Sequence, residues 1–344
     1  MTGELIPRQQ SAAVAAYDLE TAARLAALDA VSDQHAAALR PPNTTRAYGA
    51  DWRAWLEFTA AKELPATAAT RGTLRAFVAW LWDRGAAPTT IDRRLAGVVV
   101  TLRREHRVTV SPDDTSAARE LLKDYGRRAA AEQQAPRGRG QAAPLLLPDL
   151  RRISAACPTD EKGELTLVGK RDRALVLLAF AIAGRRSEVA GLMVRDVQDD
   201  PNGLVVEVRV SKTKPRTVAV PYGSNPLTCP VRAWRAWVEA AGLDDPDGPA
   251  FRRVDRHGRL LGGLSGQAAG EVVTRAGERA GVEARLTGHS VRAGLATAAR
   301  KAGKDRKAIA ATTGHVPNSA VLDRYIRSVD RWDGDDNALI GIGL

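Results

Sequence analysis

The sequence predicts a mainly α protein in two domains: an N-terminal four-helix bundle and a larger α-rich domain that carries a small antiparallel β-sheet. Three observations predict it. The chain has 344 residues, beyond the usual size of a single domain. Apolar residues recur at helical spacing along most of it, while strand-like runs cluster around one polar turn. The stretch Ala131-Glu132-Gln133-Gln134-Ala135-Pro136-Arg137-Gly138-Arg139-Gly140-Gln141-Ala142-Ala143 has no apolar period and contains breakers, so it reads as a linker.

Residues 11–39 predict a helix with a thin apolar stripe, Val14, Leu25, Leu28 and Val31, among alanines; residues 1–40 are assigned as an appendage. After the Pro41-Pro42 breaker, Asn43 and Thr44 offer an N-cap. Tyr48, Trp52, Trp55, Leu56 and Thr59 then fall at helical spacing in a helix that stops before Pro65. Leu74, Phe77, Val78 and Leu81 predict a second helix ending at Gly85, and Ile91, Leu95, Val98 and Leu102 a third that starts at Pro88-Thr89. A fourth covers residues 114–130 with Leu121, Leu122 and Tyr125 inward, which completes a bundle over residues 41–130. Trp52, Trp55 and Trp80 lie on the buried stripe, so core packing is favoured over base stacking. Arg93, Arg94, Arg103, Arg104 and Arg107 crowd on and just after one helix, where a solvated face and a row of phosphate contacts are the two readings. The linker, residues 131–146, adds Arg137 and Arg139, placed to touch a nucleic-acid backbone or simply to keep the segment soluble.

The second domain is assigned to residues 147–335. Pro148-Asp149-Leu150 opens a short helix, and residues 172–183 are apolar nearly all round, as in a buried helix. Residues 204–210 and 217–220 predict a hairpin around the polar turn Ser211-Lys212-Thr213-Lys214-Pro215-Arg216. Helices follow near residues 231–240, 265–280, 290–301, 306–312 and 318–327. A tail, residues 336–344, ends in Ala338-Leu339-Ile340-Gly341-Ile342-Gly343-Leu344, for which docking on a neighbouring copy, docking on its own chain and fraying are the readings.

The formal net charge of +11, from 51 Lys+Arg against 40 Asp+Glu, points to a polyanionic partner, with nucleic acid foremost. Biased codon usage is the plainer source of such a composition. Cys157 and Cys229 follow no metal-ligand spacing and read as free thiols of a reducing compartment. No window approaches the roughly 18 apolar residues of a membrane span, and the N-terminus lacks the basic-then-apolar order of a signal peptide. A cytoplasmic protein is expected. No Gly-rich phosphate loop is present, and no cofactor or metal is expected.

The chemistry gathers around Tyr325. A phosphodiester under attack passes through a phosphorane whose non-bridging oxygens carry negative charge, and guanidinium forks match those oxygens while staying protonated. Arg185 and Arg292 are the candidates. A tyrosine hydroxyl is a poor nucleophile at neutral pH unless a base or cations help its proton leave. His289 lies three residues before Arg292, so at a helix start both address one phosphate, His289 either taking the proton or holding an oxygen. The departing alkoxide needs a proton, for which Lys212 is the first choice and Lys214 the reserve.

Ala183-Gly184-Arg185-Arg186-Ser187-Glu188-Val189 with Ala190-Gly191-Leu192 forms a first box, and Gly288-His289-Ser290-Val291-Arg292-Ala293-Gly294-Leu295-Ala296-Thr297 a second. Thr313-Gly314-His315 and Tyr325-Ile326-Arg327 close the series. Together they resemble the tyrosine recombinase (phage integrase) family over roughly residues 40–335. The resemblance implies that Arg185 rather than Arg186 is the first arginine, that Glu188 is a supporting acid, that Lys212, His289 and Arg292 take the lysine, histidine and second-arginine positions, that His315 fills a His/Trp position, and that Tyr325 is the nucleophile. It further implies a SAM-like core-binding bundle and a catalytic domain of the DNA breaking-rejoining fold, closing as a clamp on double-stranded DNA. A tetramer on two DNA sites and accessory DNA-bending or directionality factors are the implied partners. The interval from His315 to Tyr325 is one residue longer than the commonest family spacing, and residues 1–40 do not resemble a β-type arm-binding domain. The implied function is site-specific recombination through a 3′-phosphotyrosyl intermediate. A non-catalytic DNA-binding protein of the same fold and a type IB topoisomerase are the rival readings.

Overall fold

In the computed structural model, which describes residues 18–38, 41–138, 140, 142–211, 214–316, 319 and 322–323, five α-helices carry proline in the first turn. There its fixed φ is already helical and its missing N–H would have no partner in any case. The chain forms two units, Met1–Gly140 and Gln141–Leu344.

In the first unit, α1 (Leu19–Ala38) leaves Leu19, Leu25, Leu28 and Val31 exposed; Val14 lies outside the described residues. The bundle consists of α2 (Pro42–Ala61), α3 (Arg71–Asp83), α4 (Pro88–Glu105) and α5 (Pro112–Ala131). The expected cap of α2 is corrected. Pro41 takes the N-cap position and Pro42 opens the helix, so Asn43 lies inside the first turn, where its Oδ1 accepts from Arg46 Nη1 at 3.0 Å. The prolines, already helical in φ, set the start one residue ahead of the polar pair. α3 has a capping box between Thr70 and Thr73, and Ser111 caps α5 by accepting from Asp113 N at 3.2 Å, with Asp113 and Asp114 complementing the helix dipole.

The bundle core joins Trp55, Phe58, Leu74, Phe77, Leu81, Ile91, Leu95 and Leu102, with Trp52 and Trp80 packed partly buried against it. Trp55 donates its indole N–H to Ala66 O at 2.8 Å, which lets a polar ring be wholly buried. Where α2 meets α4, Asp51 is buried and pairs with Arg93 at 2.6 Å. Burial pushes the Asp51 carboxyl up, and Arg93 works against that shift.

The second unit is built on α7 (Leu167–Ala181), which is buried nearly all round. Around it stand α6 (Leu147–Ala155), α8 (Arg186–Ala190), α9 (Pro230–Ala241), α10 (Gly266–Arg279), α11 (Ser290–Lys301) and α12 (Arg306–Thr313). The expected hairpin is larger than the sequence indicated. β2 (Gly203–Val208) and β3 (Arg216–Pro221) are joined by β1 (Val197–Asp200) in an antiparallel sheet of order β1-β2-β3, and β4 (Arg252–Val254) pairs with β5 (Leu260–Gly263) in a separate hairpin. β1 has one apolar residue among four and β5 carries two glycines, so neither shows the alternation that marks a strand. Residues 209–210, expected in the strand, fall outside it; Val210 is exposed.

Two local features set the site. After α7 the chain turns at Ala183 with φ 47°, a left-handed conformation that costs a non-glycine residue about 1–2 kcal/mol. In α11, Gly294 faces the chain near residue 145: a Cβ there would lie 2.1 Å from Leu145 O, while Leu145 N donates to Ser290 O at 2.9 Å. Glycine lowers helix propensity, and this close approach is the reason it is present. The expected helix over residues 318–327 lies mostly outside the described residues; Leu322 is buried with Ala296, Ile309 and Ala310.

Candidate active site

Arg185 is the N-cap residue of α8, and Glu188 is in its first turn. Glu188 reaches back, taking the backbone N–H of Arg185 on Oε2 at 3.0 Å and the Arg185 guanidinium on Oε1 at 2.5 Å. Ser211, at the start of the hairpin turn, donates to Glu188 Oε1 at 2.8 Å. The Glu188 side chain is 1% exposed. Burial pushes its carboxyl up, but hydrogen bonds from Arg216 and from the backbone and side chain of Arg185 outweigh it and hold the pKa at about 2. Arg186 is exposed, its stem lying along Gly270 and Gly288. Of the adjacent arginines, Arg185 is therefore the one held by Glu188.

Arg292, in the first turn of α11, is 1% exposed. Its Nη1 donates to Ala183 O at 2.9 Å, and its Nη2 lies 2.9 Å from His315 Nε2. A guanidinium only donates, so His315 Nε2 accepts and the ring proton belongs on Nδ1. Nδ1 lies 2.9 Å from Thr313 Oγ1, which in turn donates to Ile309 O at 2.7 Å. The bonding pattern thus assigns a neutral imidazole. Burial and then Arg292, Arg185 and Arg216 lower the His315 pKa to about 4, partly offset by Glu188. His289, the N-cap of α11, has an exposed side and a pKa lowered by partial desolvation and then by Arg186, Arg292 and Arg185.

Arg216, at the start of β3, completes the cluster and was not singled out from sequence. Its Nη2 donates to Glu188 Oε2 at 2.9 Å and to Ile182 O at 3.1 Å, and its Nε to Thr312 O at 3.0 Å; Nη1 is buried with no hydrogen-bond partner among the described residues. The signal was strand alternation: Arg216 shares a face with buried Val218 and Val220, so the last residue of the polar turn faces the core. Arg185 and Arg216 hold the Glu188 carboxylate, and these three groups and Arg292 all act on the His315 ring, three guanidiniums to one carboxylate, a local excess of positive charge suited to a phosphate.

The structure thus brings together Arg185, Glu188, Arg292 and His315, with His289 at the head of the same helix as Arg292. Lys214 is exposed on the hairpin turn; Lys212 and Tyr325 lie outside the described residues. In the bundle, Arg103 and Arg104 are exposed at the end of α4. Arg94 is half-buried, its Nε without a partner among the described residues. Arg93 is held by Asp51, and Arg137 stacks 3.9 Å above the Trp82 ring and donates to Trp82 O. Arg139 lies outside the described residues. Among the described residues no His, Cys, Asp and Glu group has the makings of a metal site, and no helix is long and apolar enough to cross a membrane.

The shifts carry a pH dependence. As pH falls from 6.5, the ordinary histidine value, towards about 4, the unfolded chain protonates residue 315 while the folded chain does not. Stability is therefore lost across that window. Glu188 adds a further loss between 4.5 and about 2, where the unfolded carboxylate protonates first. The melting temperature of the second unit should fall from pH 7 to pH 4, and less steeply in His315→Gln. Parallel pH curves for wild type and variant would count against the assignment.

A model described as the phage integrase family matches residues 148–331. An integrase/recombinase xerD homolog of Selenomonas ruminantium is 28% identical over 306 residues, spanning 86% of this chain and 84% of that protein. Among solved structures, the XerH site-specific recombinase bound to palindromic difH substrate is similar with a TM-score of 0.55 and 17% identity, covering 83% of this chain and 75% of that one. A lambda integrase tetramer bound to a Holliday junction gives a TM-score of 0.54 and 16% identity, covering 90% and 84%. At these identities the two structures speak for the fold.

Proposed function

The chain belongs to the phage integrase family, and on that premise we propose that it is a tyrosine-type site-specific DNA recombinase with Tyr325 as its nucleophile. The Tyr325 oxygen attacks the scissile phosphorus, the phenolic proton leaves, and a 3′-phosphotyrosyl bond replaces the bond to the 5′ oxygen. That oxygen departs as a hydroxyl, taking its proton from Lys212, with Lys214 as the alternative donor. The 5′-hydroxyl of a partner strand then attacks the phosphotyrosyl phosphorus and releases Tyr325. Because the covalent link keeps the bond energy, rejoining needs no nucleotide hydrolysis.

The observation that carries this reading is the pair of buried supports: Arg185 is held by Glu188, and Arg292 by Ala183 O and His315. Two forks fixed in this way before DNA arrives lower the reorganisation required when charge develops on the phosphorane oxygens. His289, beside Arg292 and with a lowered pKa, is neutral at physiological pH and able to take the phenolic proton or donate to a phosphate oxygen. Neutral His315 holds the Arg292 fork. Arg103, Arg104 and Arg94 contact the duplex backbone, joined by Arg93, Arg137 and Arg139. Exchange takes place in a tetramer on two DNA sites; lambda integrase is found as a tetramer bound to a Holliday junction. Accessory DNA-bending or directionality factors, a cytoplasmic location on the nucleoid and a mobile-element setting complete the reading.

The test uses nicked suicide duplexes with a randomised segment, incubated with the full chain and resolved under denaturing conditions. A covalent protein–DNA band enriched for one sequence is expected, and binding to that sequence should weaken steeply and log-linearly with salt. No covalent band from any duplex would overturn the reading. Relaxation of supercoiled plasmid lacking the selected sequence would assign the protein to type IB topoisomerase chemistry instead.

A further inference from the structure

A guanidinium on the inward face of a strand is unfavourable unless its charge and its donors are met. Arg216 is 7% exposed in its side chain, and the groups that meet it are the supports of the site. One is Glu188, whose other oxygen holds Arg185. Another is Ile182 O, on the residue before Ala183, whose carbonyl holds Arg292. The third is Thr312 O, in the last turn of α12, next to Thr313, which bonds the His315 ring. Gly314 ends that helix at φ 66°, and a Cβ there would lie 3.2 Å from Arg216 Cδ. Glycine is favoured at this position by its backbone and by the arginine stem beside it. The stem thus packs where the chain leaves α12 for His315.

Arg216 also closes the polar turn that holds Lys212 and Lys214. Ser211, at the other end of that turn, bonds the same carboxylate. Both ends of the hairpin turn are therefore fastened to Glu188.

We propose that Arg216 is a positioning residue for strand cleavage: without touching DNA, it sets Arg185 through Glu188, Arg292 and His315 through the Ile182 and Thr312 carbonyls, and the lysine turn through its own place in β3. This rests on the recombinase reading above. The geometry requires a fork, because one nitrogen must reach Glu188 and Ile182 while another reaches Thr312. A lysine at this position restores the charge beside Glu188 but not the three-way bridge.

The experiment compares wild type, Arg216→Ala and Arg216→Lys as full chains on the duplex captured by wild type. It measures the single-turnover rate of adduct formation at saturating protein, duplex affinity, the rate–pH profile and the melting curve. The expected result is a rate about 10²-fold lower in Arg216→Ala, the scale of a small misplacement of reacting groups, with duplex affinity within about threefold, since Arg216 makes none of the phosphate contacts that set it. Glu188 faces Arg216 from β3, Arg185 at the head of its own helix and Ser211 from the turn, with Arg292 and His315 beyond. Removing Arg216 takes away a cation that lowers both the Glu188 carboxyl and the His315 ring, so both rise and the acidic limb of the rate–pH profile should move to higher pH in Arg216→Ala. Arg216→Lys should recover part of the rate and bring the acidic limb back towards wild type.

A wild-type rate in a folded Arg216→Ala chain would overturn the proposal. So would a loss of rate that leaves the pH profile unmoved and follows the melting curve. If Arg216→Ala does not fold, the Arg216→Lys variant decides the matter, since a folded lysine variant cutting as fast as wild type contradicts the need for a fork. Absence of an adduct with wild type itself removes the recombinase reading, an outcome distinct from an Arg216→Ala rate equal to that of an active wild type.

Discussion

Arg292→Ala is expected to lower the rate of strand cleavage by about 10²–10³-fold, the usual effect of removing one donor from a site that stabilises developing negative charge. Duplex affinity should stay close to wild type, because one phosphate contact is a small part of a binding surface that tracks the DNA backbone. Stability should also fall. Arg292 is 1% exposed, and its loss leaves Ala183 O, in a strained left-handed turn, and His315 Nε2 without their guanidinium partner. Ala183 is buried, and a buried acceptor left unpaired costs about 1–3 kcal/mol. The two effects separate by temperature: cleavage measured well below the melting transition of the variant should remain slow. A folded Arg292→Ala chain that cuts at the wild-type rate would remove Arg292 from the mechanism.

Tyr325→Phe should form no covalent adduct while binding the captured duplex as tightly as wild type. The substitution removes one oxygen and keeps the ring, so packing and charge are unchanged and only the nucleophile is lost. A phenol with a pKa of about 10 attacks poorly at neutral pH. The surroundings proposed for it contain Arg185, Arg216 and Arg292 against the single carboxylate of Glu188, and that positive excess favours the phenolate. Neutral His289 offers a route for the proton. Denaturing electrophoresis of both proteins on the same suicide duplex reads the result, and an adduct from Tyr325→Phe equal to that of wild type would move the nucleophile elsewhere in the chain.

Much of the fold was legible because helix stripes are local. Leu74, Phe77, Val78 and Leu81 are buried as their spacing requires, and residues 290–301 form the helix that their composition indicated. Strands were harder. β1 holds its place through pairing with β2 and through one buried side chain, Val197, opposite Val206, and nothing in Val-Gln-Asp-Asp announces that pairing. The cap of α2 was misassigned because a preset proline φ set the helix start ahead of the polar pair.

The site followed the same division. The boxes around Arg185 and Arg292 could be quoted from the chain, and the His289–Arg292 relation follows from helix geometry. The bonds that fix them join residues far apart in sequence, such as Arg292 to Ala183 and Arg216 to Thr312, and no local pattern encodes a partner at that distance. Arg137 is similar: its stacking on Trp82 joins residues 55 apart. Arg216 was overlooked because a polar turn and the first residue of a strand have the same composition, and only the alternation with Val218 and Val220 distinguishes them.

The central claim is tested most directly by identifying the residue that carries DNA in the covalent adduct. The adduct formed by the full chain on its captured suicide duplex is digested with nuclease and protease, and the modified peptide is sequenced by mass spectrometry. The account predicts a 3′-linked nucleotide on Tyr325 and an unmodified peptide in the Tyr325→Phe chain. A nucleotide attached to any other residue, or through its 5′ end, would contradict it.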